Sequence, residues 1–329
     1  MRLPPFHLHR PTSLPEAVSL AARYGDGAQY VAGGTDLIQH WKNRIYTPEH
    51  VISLQRIPGL RDISPTRIGA LVTLTEIEES PVLHEHLPAL PDATGHIASP
   101  IIRTTATIGG NMLVDTRCYY VNQSYEWRLS KGACLKSEGD VCLVVPNPGT
   151  CYATFSADLP ALLIAWDASL HLVGPSGERD VALSEFYRYD GIARHIKEPA
   201  EVIAWIDIPE AAQGLTSGYS KLRVRDAFDY PEIGIAAALA LDAQGLLGDL
   251  RLVVNAVEAV PKVFPDLCAR AIGDHPTDGV IEAIAREVME AVQPYRNTAL
   301  APGYRKQMVG VFTRRLLTQL RDQASAREA

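Results

Sequence analysis

Apolar side chains recur at helical spacing in three places along this 329-residue chain. Near the start, Ser13 and Glu16 have the spacing of a capping box, and Pro15 between them suits a first helical turn, so a helix is predicted to begin here. Toward the other end, the spacing predicts helices over residues 280–292 and 304–320. The polar segment 321–329 is expected to fray. The apolar positions that define the three helices are Leu14, Ala17, Val18 and Ala21; Ile281, Ile284 and Val288; and Met308, Phe312, Leu316 and Leu320.

Short apolar runs predict the strands. Residues 30–32 indicate a short buried strand after the first helix, and runs over 218–221, 233–241 and 252–257 indicate a sheet that precedes the last helices. The chain therefore divides into three predicted units. These are a small α/β unit over 1–55, a larger α/β unit over 56–210, and an α+β unit over 211–329.

Composition describes an ordinary globular protein. The chain is 47% hydrophobic and 21% charged, and its formal net charge of −7 argues against a nucleic-acid surface. The first residues lack the apolar core of a signal peptide, and the longest apolar stretch, residues 161–166, is far too short to span a bilayer. We expect a soluble cytoplasmic protein whose thiols stay reduced.

A first glycine turn joins the predicted strand at 30–32 to a short predicted helix from Leu37 to about Lys42. Its sequence is Gly33-Gly34-Thr35-Asp36. A turn of this kind leaves backbone N–H groups facing outward at a helix start, which suits a phosphate. A plain tight turn explains the same residues equally well.

A second glycine turn, Thr107-Ile108-Gly109-Gly110-Asn111, is predicted to offer a further set of N–H donors. Two such turns suit the two adjacent phosphates of a dinucleotide. Because no GxGxxG motif follows a predicted strand, a conventional Rossmann fold is disfavoured.

Four of the five cysteines, Cys118, Cys134, Cys142 and Cys151, fall within one 34-residue segment. Such clustering of soft sulfur donors is typical of a 4Fe–4S or 2Fe–2S cluster or of structural zinc. The spacing, C-x15-C-x7-C-x8-C, contains no CxxC pair and so favours a cluster over zinc, while disulfides and unligated thiols remain alternatives. The fifth cysteine, Cys268, is interpreted as a buried structural thiol.

Several motifs together resemble the FAD-binding subunits of the molybdenum hydroxylases, the group that includes xanthine dehydrogenase and carbon monoxide dehydrogenase. The resemblance covers nearly the whole chain and implies a PCMH-type FAD-binding domain of two α/β subdomains, followed by a C-terminal α+β domain. The motifs that carry it are RPTSLPEA at 10–17, AGGTDL at 32–37, TIGGN at 107–111, FSADLPAL at 155–162 and GYSK at 218–221.

The resemblance also implies roles for individual residues. Both glycine turns would bind the FAD pyrophosphate, Asp158 would bind near the ribose, and Lys221 would lie beside the flavin. Alternatively, Asp158 only caps the following helix, and Lys221 alternates with Arg223 and Arg225 on a solvated strand face. The implied FAD-binding residues in the two turns are Ala32, Gly33, Gly34, Thr35 and Asp36, and Thr107, Ile108, Gly109, Gly110 and Asn111.

The segment over about 115–152 departs from the family pattern, in which a short loop follows the second turn. This extra length resembles the β subunit of 4-hydroxybenzoyl-CoA reductase, a flavin subunit with an additional 4Fe–4S cluster. The resemblance therefore implies that the four clustered cysteines bind such a cluster.

The implied function is electron transfer. Electrons would pass between a donor such as ferredoxin, the cluster, FAD, and the 2Fe–2S and molybdopterin centres of a small and a large partner subunit, in a dimer of heterotrimers that reduces 4-hydroxybenzoyl-CoA. The chain alone would not turn over the organic substrate. The alternatives are the FAD subunit of another molybdenum hydroxylase, and a zinc-stapled module that binds a partner.

Overall fold

The computed structural model describes residues 2–328 as three small sheets surrounded by helices. The strands are β1 (His7–His9), β2 (Ala28–Val31), β3 (His50–Ser53), β4 (Arg67–Gly69), β5 (Ser169–Gly174), β6 (Gly177–Ala182), β7 (Val202–Asp207), β8 (Thr216–Leu222), β9 (Ile233–Leu241), β10 (Leu247–Asn255) and β11 (Lys262–Val263). The α-helices are α1 (Leu14–Tyr24), α2 (Leu37–Lys42), α3 (Leu74–Glu78), α4 (Pro81–His86), α5 (Ala89–Gly95), α6 (Pro100–Arg103), α7 (Ile108–Met112), α8 (Tyr125–Ser130), α9 (Leu159–Ala165), α10 (Leu183–Phe186), α11 (Pro265–Ala271), α12 (Asp278–Ala291) and α13 (Pro302–Glu328). Two short 3₁₀ helices cover Gly25–Gly27 and Glu210–Gly214.

The first sheet is parallel, with strand order β1-β3-β2. Helix α1 packs against it through Ala17, Val18 and Ala21. The Ser13 hydroxyl accepts the Glu16 N–H at 3.3 Å, as a capping box requires, but the Glu16 carboxylate accepts the N–H of Thr12 at 2.8 Å. Half of the predicted capping box is thus present, and the helix begins where the sequence indicates.

The second sheet is antiparallel, with strand order β4-β7-β5-β6. Its core is continuous with that of the first sheet, since Val202 and Ala204 of β7 pack among residues of α1 and β3. On its other side, the wholly buried helix α9 joins the largest core of the protein. The two sheets therefore form one packed body beneath the glycine turns.

The third sheet is antiparallel, with strand order β11-β10-β9-β8, and the helices α11, α12 and α13 cover it. Strand β9 matches its predicted range, whereas β10 begins five residues before the predicted start at 252. The division of the chain at residues 55 and 210 remains a proposal.

Helix α13 corrects the expectation of fraying for residues 321–328, because it continues to Glu328, while Ala329 lies outside the described residues. The reason is tertiary packing, which the polar composition of this segment does not predict. Ala324 is buried in the core of the third sheet, and the Arg321 guanidinium pairs with the Asp278 carboxylate of α12 at 2.6 Å. No helix in the described part of the chain is long and apolar enough to cross a membrane.

Arg305 fastens α13 to this sheet from a fully buried position. Its Nε donates to the Glu232 carbonyl at 2.9 Å and one terminal nitrogen donates to the Tyr295 carbonyl at 2.9 Å. The other terminal nitrogen donates to the Ala256 carbonyl. Its guanidinium also lies 3.6 Å from the Glu232 carboxylate. One cation thus serves four acceptors.

Replacing Arg305 by Met is expected to lower the free energy of unfolding by roughly 3–5 kcal/mol, because it removes the cation beside the buried Glu232 carboxylate and the donor to three carbonyls. Urea unfolding followed by circular dichroism measures this loss. Arg314→Met is the control, since Arg314 is half exposed and pairs only with Glu282, so a loss below about 1 kcal/mol is expected. Equal losses in both variants would contradict the structural role of Arg305.

Candidate functional site: two glycine turns and a cysteine pocket

The first glycine turn lies between β2 and α2 and is shaped by a close backbone approach. A Cβ on Gly33 would overlap the carbonyl oxygen of Thr105, and Gly34 has a left-handed φ of +71°. Within residues 2–328, the N–H groups of residues 33–36 donate no hydrogen bond. The turn therefore presents a row of free donors, which is the environment that a phosphate group requires.

The second turn differs from its sequence expectation. The N–H groups of Ile108 and Gly109 donate to the carbonyls of Val72 and Ala70, each at 2.9 Å. Those of Gly110 and Asn111 donate to the side chain and carbonyl of Thr107 at 3.1 and 2.8 Å. The expected second set of free amide donors is thus not present at these four residues, because two amides donate to the neighbouring segment at 70–72 and two donate back to Thr107.

Gly109 is nevertheless required by packing, since a Cβ there would lie 2.7 Å from the Cβ of Ala70. The second turn begins two residues after Thr105, whose backbone lies against Gly33 of the first turn. Its five residues remain predicted neighbours of the cofactor.

Asp158 and Lys221 meet in the interior. Their side chains are 3% and 2% exposed, and the Lys221 ammonium lies 2.9 Å from an oxygen of Asp158. The Tyr219 hydroxyl donates to the same oxygen at 3.0 Å, and the Lys221 ammonium also donates to the His96 carbonyl at 3.2 Å. Both alternative interpretations are therefore wrong in part. Asp158 makes no side-chain capping bond to α9, and Lys221 is not on a solvated face, whereas Arg225 is exposed and pairs with Asp229.

The four clustered cysteines converge. Cys118, Cys134, Cys142 and Cys151 are buried and line one apolar pocket, together with side chains such as Val121 and Leu143. All five cysteines of the chain are free thiols, so the disulfide alternative does not describe this structure. Cys268 lies elsewhere, in the core beneath α11, as expected for a structural thiol.

Burial raises the pKa of two of these thiols, that of Cys118 to about 12 and that of Cys151 to about 11. The thiols of Cys118 and Cys151 are thus protonated at neutral pH unless a positive group binds them. Among the described residues, no three His, Cys, Asp or Glu side chains are placed to hold a metal ion. The ligand role of the four cysteines therefore stays a prediction.

A layer of charged side chains separates the first glycine turn from the cysteine pocket. The Asp36 carboxylate pairs with the guanidinium of Arg117, the residue before Cys118. Next to them, the Asp115 carboxylate pairs with Lys136 at 2.6 Å and with Arg194 at 3.3 Å. Burial alone would raise the pKa of Asp115, but Lys136 and Arg194 hold it well below its usual range. Apart from Asp36, none of these residues was singled out from the sequence, where the only available signal is the closeness of Asp115, Arg117 and Lys136 to cysteines; Arg194 has no such signal.

Comparison with known proteins matches the chain in two parts. Residues 4–211 match the FAD binding domain in molybdopterin dehydrogenase, and residues 218–320 match the C-terminal domain of the carbon monoxide dehydrogenase flavoprotein. The chain is 29% identical to the carbon monoxide dehydrogenase medium chain of Hydrogenophaga pseudoflava, over 95% of this chain and 96% of that one. It is 32% identical to the aldehyde oxidoreductase FAD-binding subunit PaoB of Escherichia coli, over 70% of this chain and 76% of that one.

A solved structure of the Cu,Mo-CO dehydrogenase has a chain that superposes with a TM-score of 0.80 at 26% identity, covering 98% of this chain and 100% of that one. The α+β fold, with an FAD-binding domain followed by a C-terminal α+β domain, is thereby confirmed.

Gly33→Ala is expected to weaken FAD binding roughly tenfold or more, equivalent to about 1.4 kcal/mol. The added methyl group overlaps the Thr105 carbonyl and forces the free amides of the first turn out of place. Titration of the deflavinated protein with FAD, followed by flavin fluorescence, measures the change. Gly27→Ala is the matched control, because nothing lies within 4 Å of a Cβ at that glycine. Equal FAD affinity in the two variants would show that the first turn does not contact the cofactor.

Proposed function

The chain belongs to the family of FAD-binding domains in molybdopterin dehydrogenases, and from this premise we propose that it is the electron-transfer subunit of a molybdenum-containing oxidoreductase, with FAD and a 4Fe–4S cluster bound to the same chain. The observation that carries the proposal is the convergence of four buried cysteines on one pocket. When bound, FAD and the cluster would pass electrons between an external donor or acceptor and the centres of partner chains.

The residues present fit FAD at the first glycine turn. The free N–H groups of residues 33–36 suit the pyrophosphate, and Gly33 and Gly34 allow the backbone to approach it. The layer behind this turn does not repel the phosphates, because Arg117 compensates the charge of Asp36. Asp158 and Lys221 are proposed to act further along the cofactor, near the ribose and the flavin.

The residues present also fit a 4Fe–4S cluster. Four thiols from separate segments face a common apolar space, which would shield the cluster from water and provide its usual protein ligands. Lys136 also lines this space, and its paired ammonium is close enough to act electrostatically on the Cys151 sulfur, so an anionic group there would have a cation nearby. Cys118, Cys134, Cys142 and Cys151 are the proposed ligands.

The proposed partner subunits are inferred from the names of the relatives. One is called a medium chain and another an FAD-binding subunit, so both function beside other chains. For this protein the proposed partners are a large molybdopterin subunit and a small 2Fe–2S subunit in a dimer of heterotrimers, with a ferredoxin-like carrier as the external donor. Substrate chemistry would take place in the large subunit.

For the reaction of the complex we propose reduction of 4-hydroxybenzoyl-CoA, supported by the cysteine-bearing segment over about 115–152. The relatives reported above instead bear the names of carbon monoxide dehydrogenase and aldehyde oxidoreductase. Assays of the purified heterotrimer separate these possibilities. Reduction of 4-hydroxybenzoyl-CoA with a low-potential donor supports the reductase, whereas oxidation of carbon monoxide or an aldehyde, without that reduction, overturns it.

The experiment that tests the cofactor assignment is analysis of iron, sulfide, zinc and flavin in protein purified without oxygen, together with its visible spectrum. Flavin with about four irons and four sulfides per chain is expected. Flavin with zinc and no iron would instead support a structural zinc site in an ordinary FAD subunit.

Cys134→Ala is expected to reduce the iron content to a small fraction of that in the unaltered protein, because the cluster loses one of its four thiolates. FAD content should persist, since Cys134 does not belong to either glycine turn. The measurement is iron per flavin together with the visible spectrum. Cys268→Ala, which changes a buried cysteine of the third sheet's core, is the control and should retain its iron. Full iron content in the Cys134 variant would rule out this ligand assignment.

A further inference from the structure

Lys136 lies between Cys134 and Cys142 and lines the cysteine pocket, with only 4% of its side chain exposed. Its ammonium donates to the Asp115 carboxylate at 2.6 Å, to the Thr116 hydroxyl at 2.6 Å and to the Gly191 carbonyl at 2.8 Å. An ammonium has three protons, and each has a short partner here. A buried cation is stable only when it is paired in this way.

The partners of Lys136 lie on, or directly against, the segments that carry the cysteines. Asp115 and Thr116 come three and two residues before Cys118. Gly191 donates its N–H to the Cys151 carbonyl at 2.8 Å, and a Cβ at Gly191 would lie 2.8 Å from the Cys151 sulfur. Lys136 therefore links the segments of Cys118 and Cys151 to its own, which contains Cys134.

The fourth segment is joined through the backbone. The N–H of Leu135, next to Lys136, donates to the Val141 carbonyl at 2.8 Å, which places Cys142 beside the same loop. The Lys136 side chain and two backbone hydrogen bonds, from Gly191 to Cys151 and from Leu135 to Val141, thus connect all four cysteine segments.

The charges around Lys136 do not cancel. Lys136 and Arg194 both pair with Asp115, so two cations face one carboxylate and leave a surplus of one positive charge. Arg117 and Asp36 form a separate pair of one cation and one carboxylate. Of these three cations, Lys136 is the one that lines the cysteine pocket, where the Asp190 carboxylate also accepts the Cys151 N–H at 3.4 Å.

We infer that Lys136 is a positioning residue that holds the segments of Cys118, Cys134 and Cys151 around the pocket and supplies positive charge to the thiolate-bound cluster. The inference rests on the proposed function, because it takes a 4Fe–4S cluster as the occupant. Thiolates bound to a cluster carry net negative charge, and the charges and hydrogen bonds around a cluster set its reduction potential.

Two substitutions distinguish the effect of the positive charge of Lys136 from its role in joining the cysteine segments. Lys136→Met removes both, and is expected to increase the rate of iron loss to a chelator roughly tenfold and to shift the midpoint potential of the cluster to more negative values. Asp115→Asn keeps the shape of the site and an acceptor for Lys136 but removes a negative charge, so the potential should shift to more positive values. A purely structural role for the pair would not move the potential in opposite directions.

The experiment uses the full chain purified without oxygen, in unaltered form and as the two single variants. Iron, sulfide and flavin per chain, iron release to a chelator, and a redox titration followed by visible absorption and EPR are measured on each. Flavin content and circular dichroism report folding independently. The double variant Lys136→Met with Asp115→Asn avoids an unpaired buried carboxylate and should return the potential toward that of the unaltered protein while iron release stays fast.

The outcomes separate this inference from the proposed function. If the unaltered protein contains neither iron nor sulfide, the proposed function fails and this inference fails with it. If the unaltered protein carries the cluster but Lys136→Met retains its iron and its potential, this inference alone is overturned. If Lys136→Met does not fold, an unchanged potential in Asp115→Asn overturns the charge-supplying role.

Discussion

A carboxylate removed from water has to be neutralised inside the protein, and two buried carboxylates and one partly buried carboxylate organise this molecule around its glycine turns. Asp36 pairs with Arg117, Asp115 with Lys136, and Asp158 with Lys221. Each pair joins parts of the chain that are distant in sequence. Because loss of one partner from a buried pair costs about 3–5 kcal/mol, these contacts define how the segments meet. The first glycine turn, the cysteine segment and strand β8 are thereby held in one arrangement.

The cysteine segment depends on side chains more than on regular structure. Its one helix, α8, is six residues long, and the described part of the segment is otherwise loop. The buried Arg128 donates to the carbonyls of Asn43, Arg44 and Gln123, so it ties α8 to the end of α2. The apolar core of the segment is small and consists largely of the cysteines themselves. A group that binds four thiolates would add much of the stability of such a segment, because its binding energy also contributes to folding.

Sequence patterns were sufficient where local chemistry decides the structure. Ser13 caps α1 as predicted, and β9 follows its apolar run. Sequence patterns failed where tertiary contacts decide the structure. The polar end of α13 is ordered by the contacts of Ala324 and Arg321, which have no signature along the chain. Two amides of the second glycine turn, those of Ile108 and Gly109, donate to Val72 and Ala70, residues that no local pattern connects to the turn.

The candidate site shows the same division. The cysteines and glycines were visible because their residue types are rare or conformationally special, and the structure brings the cysteines to one pocket. The cations around the cysteines could not be identified from the sequence, because Lys and Arg are common in any sequence and only the fold places Lys136 and Arg117 in this layer. Pairing is also invisible in sequence, since Lys221 would equally suit an exposed strand and is buried only because Asp158 lies opposite.

The charged layer also connects the first glycine turn and the cysteine pocket electrostatically. Arg117 contacts Asp36 of the turn and is the residue before Cys118, while the buried imidazole of His40 lies 3.9 Å from Asp36 and 4.0 Å from Asp115. Burial lowers the pKa of His40, so the imidazole stays neutral and adds no charge between the two carboxylates. Charges in such a dry layer interact more strongly than they do in water. Under the proposed function, each electron that enters adds negative charge, and cations already fixed beside the pocket stabilise it without movement of any side chain.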